Sequence, residues 1–119
     1  MKKIIYITVL LNTLFSCTND SINDLLEPIP EIPVISYNNT VKAIIDNNCT
    51  NCHSSPPING APNPLTTYLE VVNSVNNNLI ERIEKQPGEN GAMPLGAPRL
   101  PQPTIDQIIA WRANNTPEN

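Results

Sequence analysis

Beyond residue 35 the apolar positions recur at helical spacing in short bursts, each cut off by proline or glycine. Val41, Ile44 and Ile45 stand at i, i+3 and i+4, one face of a short helix that Asn39 or Thr40 could cap and that runs into Cys49. A second helical stretch is expected over 66–72, and a third over 78–85 on Leu79, Ile80 and Ile83. The last, over 102–114, carries Ile105, Ile108, Ile109 and Trp111, with Pro103 tolerated in its first turn because the missing N–H has no partner there. Between them, Pro56-Pro57, Gly60, Pro62 and Pro64 mark one loop, and Pro87-Gly88 opens another that reaches Pro101. No strand pattern and no internal repeat is legible. The expected fold is all-α, three to four short helices joined by long Pro/Gly-rich loops.

The pattern upstream is different. Met1-Lys2-Lys3 is a basic start, and Ile4 to Leu11 is an apolar run too short to span a bilayer. Leu14-Phe15-Ser16-Cys17 follows and resembles the lipobox of bacterial lipoproteins, in which the cysteine becomes the acylated first residue. The alternatives are an ordinary secretory peptide or an uncleaved anchor. The chain therefore divides into a signal peptide at 1–16, a lipid-anchored tether at 17–35, a folded domain at 36–116 and a tail at 117–119. Pro28, Pro30 and Pro33 make the tether extended and semi-stiff, with a reach of about 55 Å at polyproline rise. Thr18 rather than Asp after Cys17 favours the outer membrane, by analogy with lipoprotein sorting.

Composition narrows the function. The net charge of −4 becomes more negative without Lys2 and Lys3, and no basic stripe exists to neutralise phosphates, which argues against nucleic acid. Past residue 16 the only large rings are Tyr37, Tyr68 and Trp111. A domain of about 80 residues with so few is marginal on its own apolar burial. A bound flat, apolar group would supply the missing core.

Cys49-Thr50-Asn51-Cys52-His53 names a candidate for that group. The C-x-x-C-H spacing is the attachment signature of c-type haem. Two thiols on one helical turn can reach both vinyl groups of a single porphyrin, and the imidazole that follows falls beneath the iron. Three cysteines are then accounted for, one by lipid and two by haem, and attachment outside the cytoplasm agrees with the export signal.

A haem iron in an electron carrier takes a sixth ligand, usually His or Met. His53 is the only histidine, and Met93 is the only methionine once Met1 is removed with the signal peptide. Met93 lies in Gly91-Ala92-Met93-Pro94-Leu95-Gly96, a polar loop rather than a helical apolar stripe, and Pro94 stiffens the backbone beside the sulfur. Lys42, Lys85, a water or an open site are the other possibilities.

Together these stretches resemble the small monohaem cytochrome c domain, over about 80 residues from Tyr37 to Trp111: a helix into C-T-N-C-H, then L-I-E-R-I, A-M-P-L-G and I-D-Q-I-I-A-W-R. The resemblance implies one haem c held by thioethers at Cys49 and Cys52, with His53 proximal and Met93 distal. It implies that first and last helices cross, bringing Ala43 and Ile44 near Ile108 and Trp111. Pro101 departs from the Ser, Thr or Asp often found before the last helix of such domains, which weakens its cap. A loop carbonyl, of Pro62 or Pro64, is expected to orient the proximal ring. Arg99 could pair with a propionate or stand as a solvated surface arginine, and Trp111 is expected to pack in the core against the haem edge.

The expected function is electron transfer by a monomer, cycling Fe(II)/Fe(III) against redox partner proteins at a bacterial membrane, and not catalysis. A haem-based enzyme or gas-binding module, with Met93 absent or displaced, is the alternative. It would need a distal acid or base, and Glu89 is the only acid in the Met93 loop. Zinc at Cys49, Cys52 and His53 would lack a fourth Cys or His ligand in the folded part, and a Cys49–Cys52 disulfide would leave His53 and Met93 without a role.

Overall fold

The computed structural model describes residues 34–119; Cys17, the expected signal peptide and nearly all of the expected tether lie outside them. Within these residues the chain forms a wide π-type turn, Tyr37–Val41, continuous with α1, Lys42–Asn48. Then come α2, Tyr68–Asn76, α3, Leu79–Glu84, and α4, Gln102–Ala113. Among the described residues there is no strand, so the all-α expectation stands at the level of four helices and connecting loops.

The first helix begins earlier than its apolar spacing suggests. Ser36, in extended conformation (φ −121°, ψ 169°), is the cap: its hydroxyl accepts Asn39 N–H at 3.3 Å. Asn39 Oδ1 in return accepts Ser36 N–H at 2.8 Å. Asn39 is therefore the reciprocal partner three residues in, and Thr40 donates its hydroxyl to Asn39 Oδ1. Val41 and Ile45 are fully buried, while Asn47 and Asn48 turn their amides back onto the carbonyls of Ala43 and Ile44.

Helix α2 starts two residues later than expected and runs four further. Thr67 caps it, and Glu70 Oε2 accepts N–H groups from Thr66 (2.8 Å) and Thr67 (2.9 Å), so both threonines are consumed in the cap. Burial pushes the Glu70 carboxyl upward, but these hydrogen bonds outweigh it and hold the group below its usual range. Val71 and Val75 bury one face while Asn73 stays on the solvent side, so its polarity does not end the helix. Helix α4 has Pro101 at its start with no side-chain cap, as the departure at that position implied.

The core gathers Val41, Ile45, Val71, Val75, Ile105 and Ile108 around Trp111. The last helix meets the first stretch through the π-type turn, and it also packs on α3. Ala43 is exposed, and Ile44 is only half-buried. The expected Ala43 crossing is corrected: the wide turn rotates Tyr37 and Val41 inward and leaves Ala43 outside. Tyr37, Tyr68 and Trp111 form one aromatic cluster, with ring centroids 5.4 to 6.4 Å apart.

Residues 117–119, expected to be a tail outside the domain, belong to the fold. Pro117 O accepts both Tyr37 N–H and Trp111 Nε1–H at 2.8 Å. Asn38 N–H reaches Glu118 O at 3.0 Å, and Tyr68 donates its hydroxyl to Thr116 O at 2.7 Å. Deleting residues 117–119 strands the buried Trp111 and Tyr37 donors and should cost about 2 kcal/mol at about 1 kcal/mol per lost bond. Urea unfolding of the two chains measures it; an unchanged midpoint would show that the clasp is decorative.

Candidate functional site

The pentapeptide continues α1 as a further tight turn. Cys49 N–H bonds Ile45 O at 2.8 Å, and His53 N–H bonds Cys49 O at 2.9 Å, the i to i−4 pattern of one helical turn. Both thiols are free and half-buried.

After His53 the chain leaves in a Pro-rich loop and comes back. Leu65 N–H bonds His53 O at 2.8 Å, and Ile58 N–H bonds Cys52 O at 2.9 Å. His53 Nδ1 lies 2.7 Å from Asn63 O. A carbonyl only accepts, so Nδ1 carries the proton and Nε2 is the ring nitrogen left to face a ligand. The orienting carbonyl is thus that of Asn63, not of Pro62 or Pro64. Asn59 (φ 53°) and Gly60 (φ 79°) take left-handed conformations that turn this loop back.

Cys49, Cys52, His53 and Met93 all line one cavity of about 520 Å³. That is within the range of small-molecule and cofactor sites. Leu65, Leu79, Ile83 and Leu100 give it apolar walls, while asparagines, including Asn48, Asn51, Asn59 and Asn78, supply polar groups. Met93 is half-buried against the core, and its N–H bonds Arg82 O on α3 at 3.0 Å. A shallower depression of about 280 Å³ beside Glu70 and Asn73 contains none of the four.

Two predicted residues sit elsewhere. Arg99 does not line the cavity: its Nε donates to Glu84 O at 3.0 Å and its Nη2 to Gln102 Oε1 at 2.7 Å, joining α3 to the start of α4. Trp111 packs in the core as expected, but among the aromatic rings and away from the cavity lining. The cation that does line the cavity is Arg82, the only charged side chain to do so among the described residues. Its position was accessible from periodicity, since at i+3 from Leu79 it borders the apolar face of α3.

Burial pushes the Cys49 thiol up to about 11. Thiol–disulfide exchange needs a thiolate, which low-pKa C-x-x-C sites provide and this cysteine does not. Among the described residues no three His, Cys, Asp or Glu side chains are grouped as a cation's ligand set, and no helix is long and apolar enough to cross a membrane. Compared with protein-family models, curated proteins and solved structures, the chain has no match.

With free thiols, Cys49 should react with iodoacetamide at pH 8 about two orders of magnitude more slowly than an unperturbed thiol. The rate should climb tenfold per pH unit towards pH 11 rather than level off near pH 9. A Cys17→Ser, Cys52→Ser chain followed by mass spectrometry isolates this rate, and a plateau near pH 9 would contradict the burial.

Proposed function

We propose that this protein is an exported, lipid-anchored electron carrier with a single c-type haem, the function expected of its resemblance to cytochrome c domains. One observation carries the reading: Cys49, Cys52, His53 and Met93, from two separate stretches of chain, line the same cavity, whose other walls combine leucines and an isoleucine with asparagines. Bound there, a c-type haem supplies a one-electron iron couple.

The residues fit that group in kind. Cys49 and Cys52 would anchor it through thioethers from one turn of backbone. His53 would offer Nε2 as proximal ligand, while donation from Nδ1–H to Asn63 O fixes the ring's rotation and raises the basicity of Nε2. Met93 would take the remaining axial place, where a thioether favours the reduced state and raises the potential above that of a bis-histidine site. Leu65, Leu79 and Leu100 exclude water and lower the dielectric around the site, which also favours the less charged state.

With His53 and Met93 both engaged in holding the group, the chain would offer a substrate no place at the metal, and its task would be relay rather than catalysis. The electron's source and destination are redox partner proteins, met by a monomer. Acylated Cys17 would hold the domain to a bacterial membrane, the outer membrane by the identity of Thr18, facing the periplasm or the cell surface.

Expression with bacterial haem-attachment machinery tests the reading. Covalent haem with sharp reduced bands and the long-wavelength sulfur-to-iron band in the oxidised form is the expected spectrum. Met93→Ala should abolish that band and lower the potential by on the order of 100 mV or more, as loss of an axial thioether implies. Covalent haem that lacks the band and binds carbon monoxide would favour the enzyme or gas-binding alternative, and colourless protein from that host would remove both.

A further inference from the structure

The loop that carries Met93 is pinned at three places to the end of α3 and the residue that follows it. Lys85 Nζ donates to Asn90 O at 3.2 Å, Arg82 Nη1 to Gly91 O at 3.4 Å, and Met93 N–H to Arg82 O at 3.0 Å. Arg82 stands in the last turn of α3 and Lys85 is the extended residue that ends it, so the C-terminal end of the helix meets the loop. The loop's internal bonds lie on either side of the sulfur-bearing residue: Gln86 N–H binds the Glu89 carboxylate, Ala92 N–H binds Glu89 O, and Ala97 N–H binds Pro94 O. Asn90 and Gly91 are held by side chains, whereas Met93 is held by the backbone of α3 itself.

Arg82 is the centre of this attachment. It is half-buried and lines the cavity, yet in an acidic protein it makes no ion pair among the described residues, whereas Lys85 also pairs with Glu81 at 3.1 Å. A half-buried cation directed at a carbonyl, with no carboxylate to compensate it, points to a role for that contact. Gly91 accommodates it in two ways. It holds φ +79°, and a Cβ there would lie 3.3 Å from Arg82 Nη1 and 3.7 Å from Lys85 Nζ.

Resting on the reading of Met93 as axial ligand, we propose that Arg82 is the positioning residue for that ligand, fastening the loop at Gly91 so that the thioether stays at the cavity. Unfastening Gly91 enlarges the population with Met93 withdrawn, and any added ligand for the sixth place gains affinity in proportion.

The test uses the haem-loaded full chain and imidazole as the added ligand. Arg82→Gln, which removes the charge and shortens the side chain, should tighten imidazole binding about five- to tenfold and weaken the sulfur-to-iron band, while Arg82→Lys, which keeps a cationic donor of similar reach, should change it about twofold. Gly91→Ala disturbs the same contact from the loop side, so combining it with Arg82→Gln should give less than the sum of the two effects. In a Met93→Ala background Arg82→Gln should leave imidazole affinity unchanged, because there is no thioether left to position. Should Arg82→Gln fail to fold, the Lys variant is read through the same cycle. Imidazole affinity equal to wild type in the Met93 chain, or an effect of equal size without Met93, overturns the proposal; the latter would mean Arg82 acts directly on the bound group. A wild-type chain without the sulfur band fails at the earlier step, and the proposal falls with the Met93 reading.

Discussion

Two hydrogen bonds at His53, one accepted by its carbonyl from Leu65 N–H and one donated by its ring to Asn63 O, close the Pro-rich loop onto the C-x-x-C-H turn. That closure sets the imidazole's tautomer and rotation, and it makes residues 59 to 63 a wall of the cavity instead of a free excursion. It also brings Leu65 back to the core at the point where Thr66 and Thr67 can start α2. Without it, the ring would have rotamers to choose among and α2 would have no fixed origin. The prolines help by restricting the open loop's conformations, so less entropy opposes the two bonds.

The remainder of the architecture is organised around a shortage of large side chains. The three large rings of the described residues, Tyr37, Tyr68 and Trp111, are gathered in one cluster. They stabilise the end of the molecule where the π-type turn, α4 and the last residues meet. The other end, bounded by the C-x-x-C-H turn, α3 and the Met93 loop, keeps a cavity where a larger protein would keep aromatic residues. Trp111 is therefore a core residue whose connection to the site runs through α4 and its packing on α3.

How much of this was readable in advance follows from the range of each interaction. Three helices were legible because Val41 and Ile45, Leu79 and Ile83, or Ile105 and Ile108 announce their faces by spacing alone, whereas the second was read only to residue 72 and its Val75 was missed. The cap at Ser36 was not legible: an Asn three residues into the turn resembles a cap itself, and only the backbone angles separate giver from receiver. Asn63 lies between two prolines whose carbonyls are its equals in sequence, and the choice among them is made by where the loop folds back. Arg99 and Arg82 were exchanged for a related reason. Proximity along the chain favoured the arginine in the methionine loop, whereas the cavity is lined from across space by a helix. The clasp formed by Pro117 and Glu118 is a contact between the two ends of the domain, and nothing local encodes it.

That clasp puts the domain's first and last described residues within hydrogen-bonding distance, Tyr37 against Pro117 and Asn38 against Glu118. Such a chain is suited to circular permutation. A short linker from Asn119 back to Val34 would leave the clasp intact. New ends could open at Gly88, which is exposed and has no atoms near its Cα that a side chain would strike. Methionine 93 would then precede histidine 53 along the polypeptide, with both still facing one cavity. The order of axial residues along the chain would be reversed while the architecture that brings them together is retained.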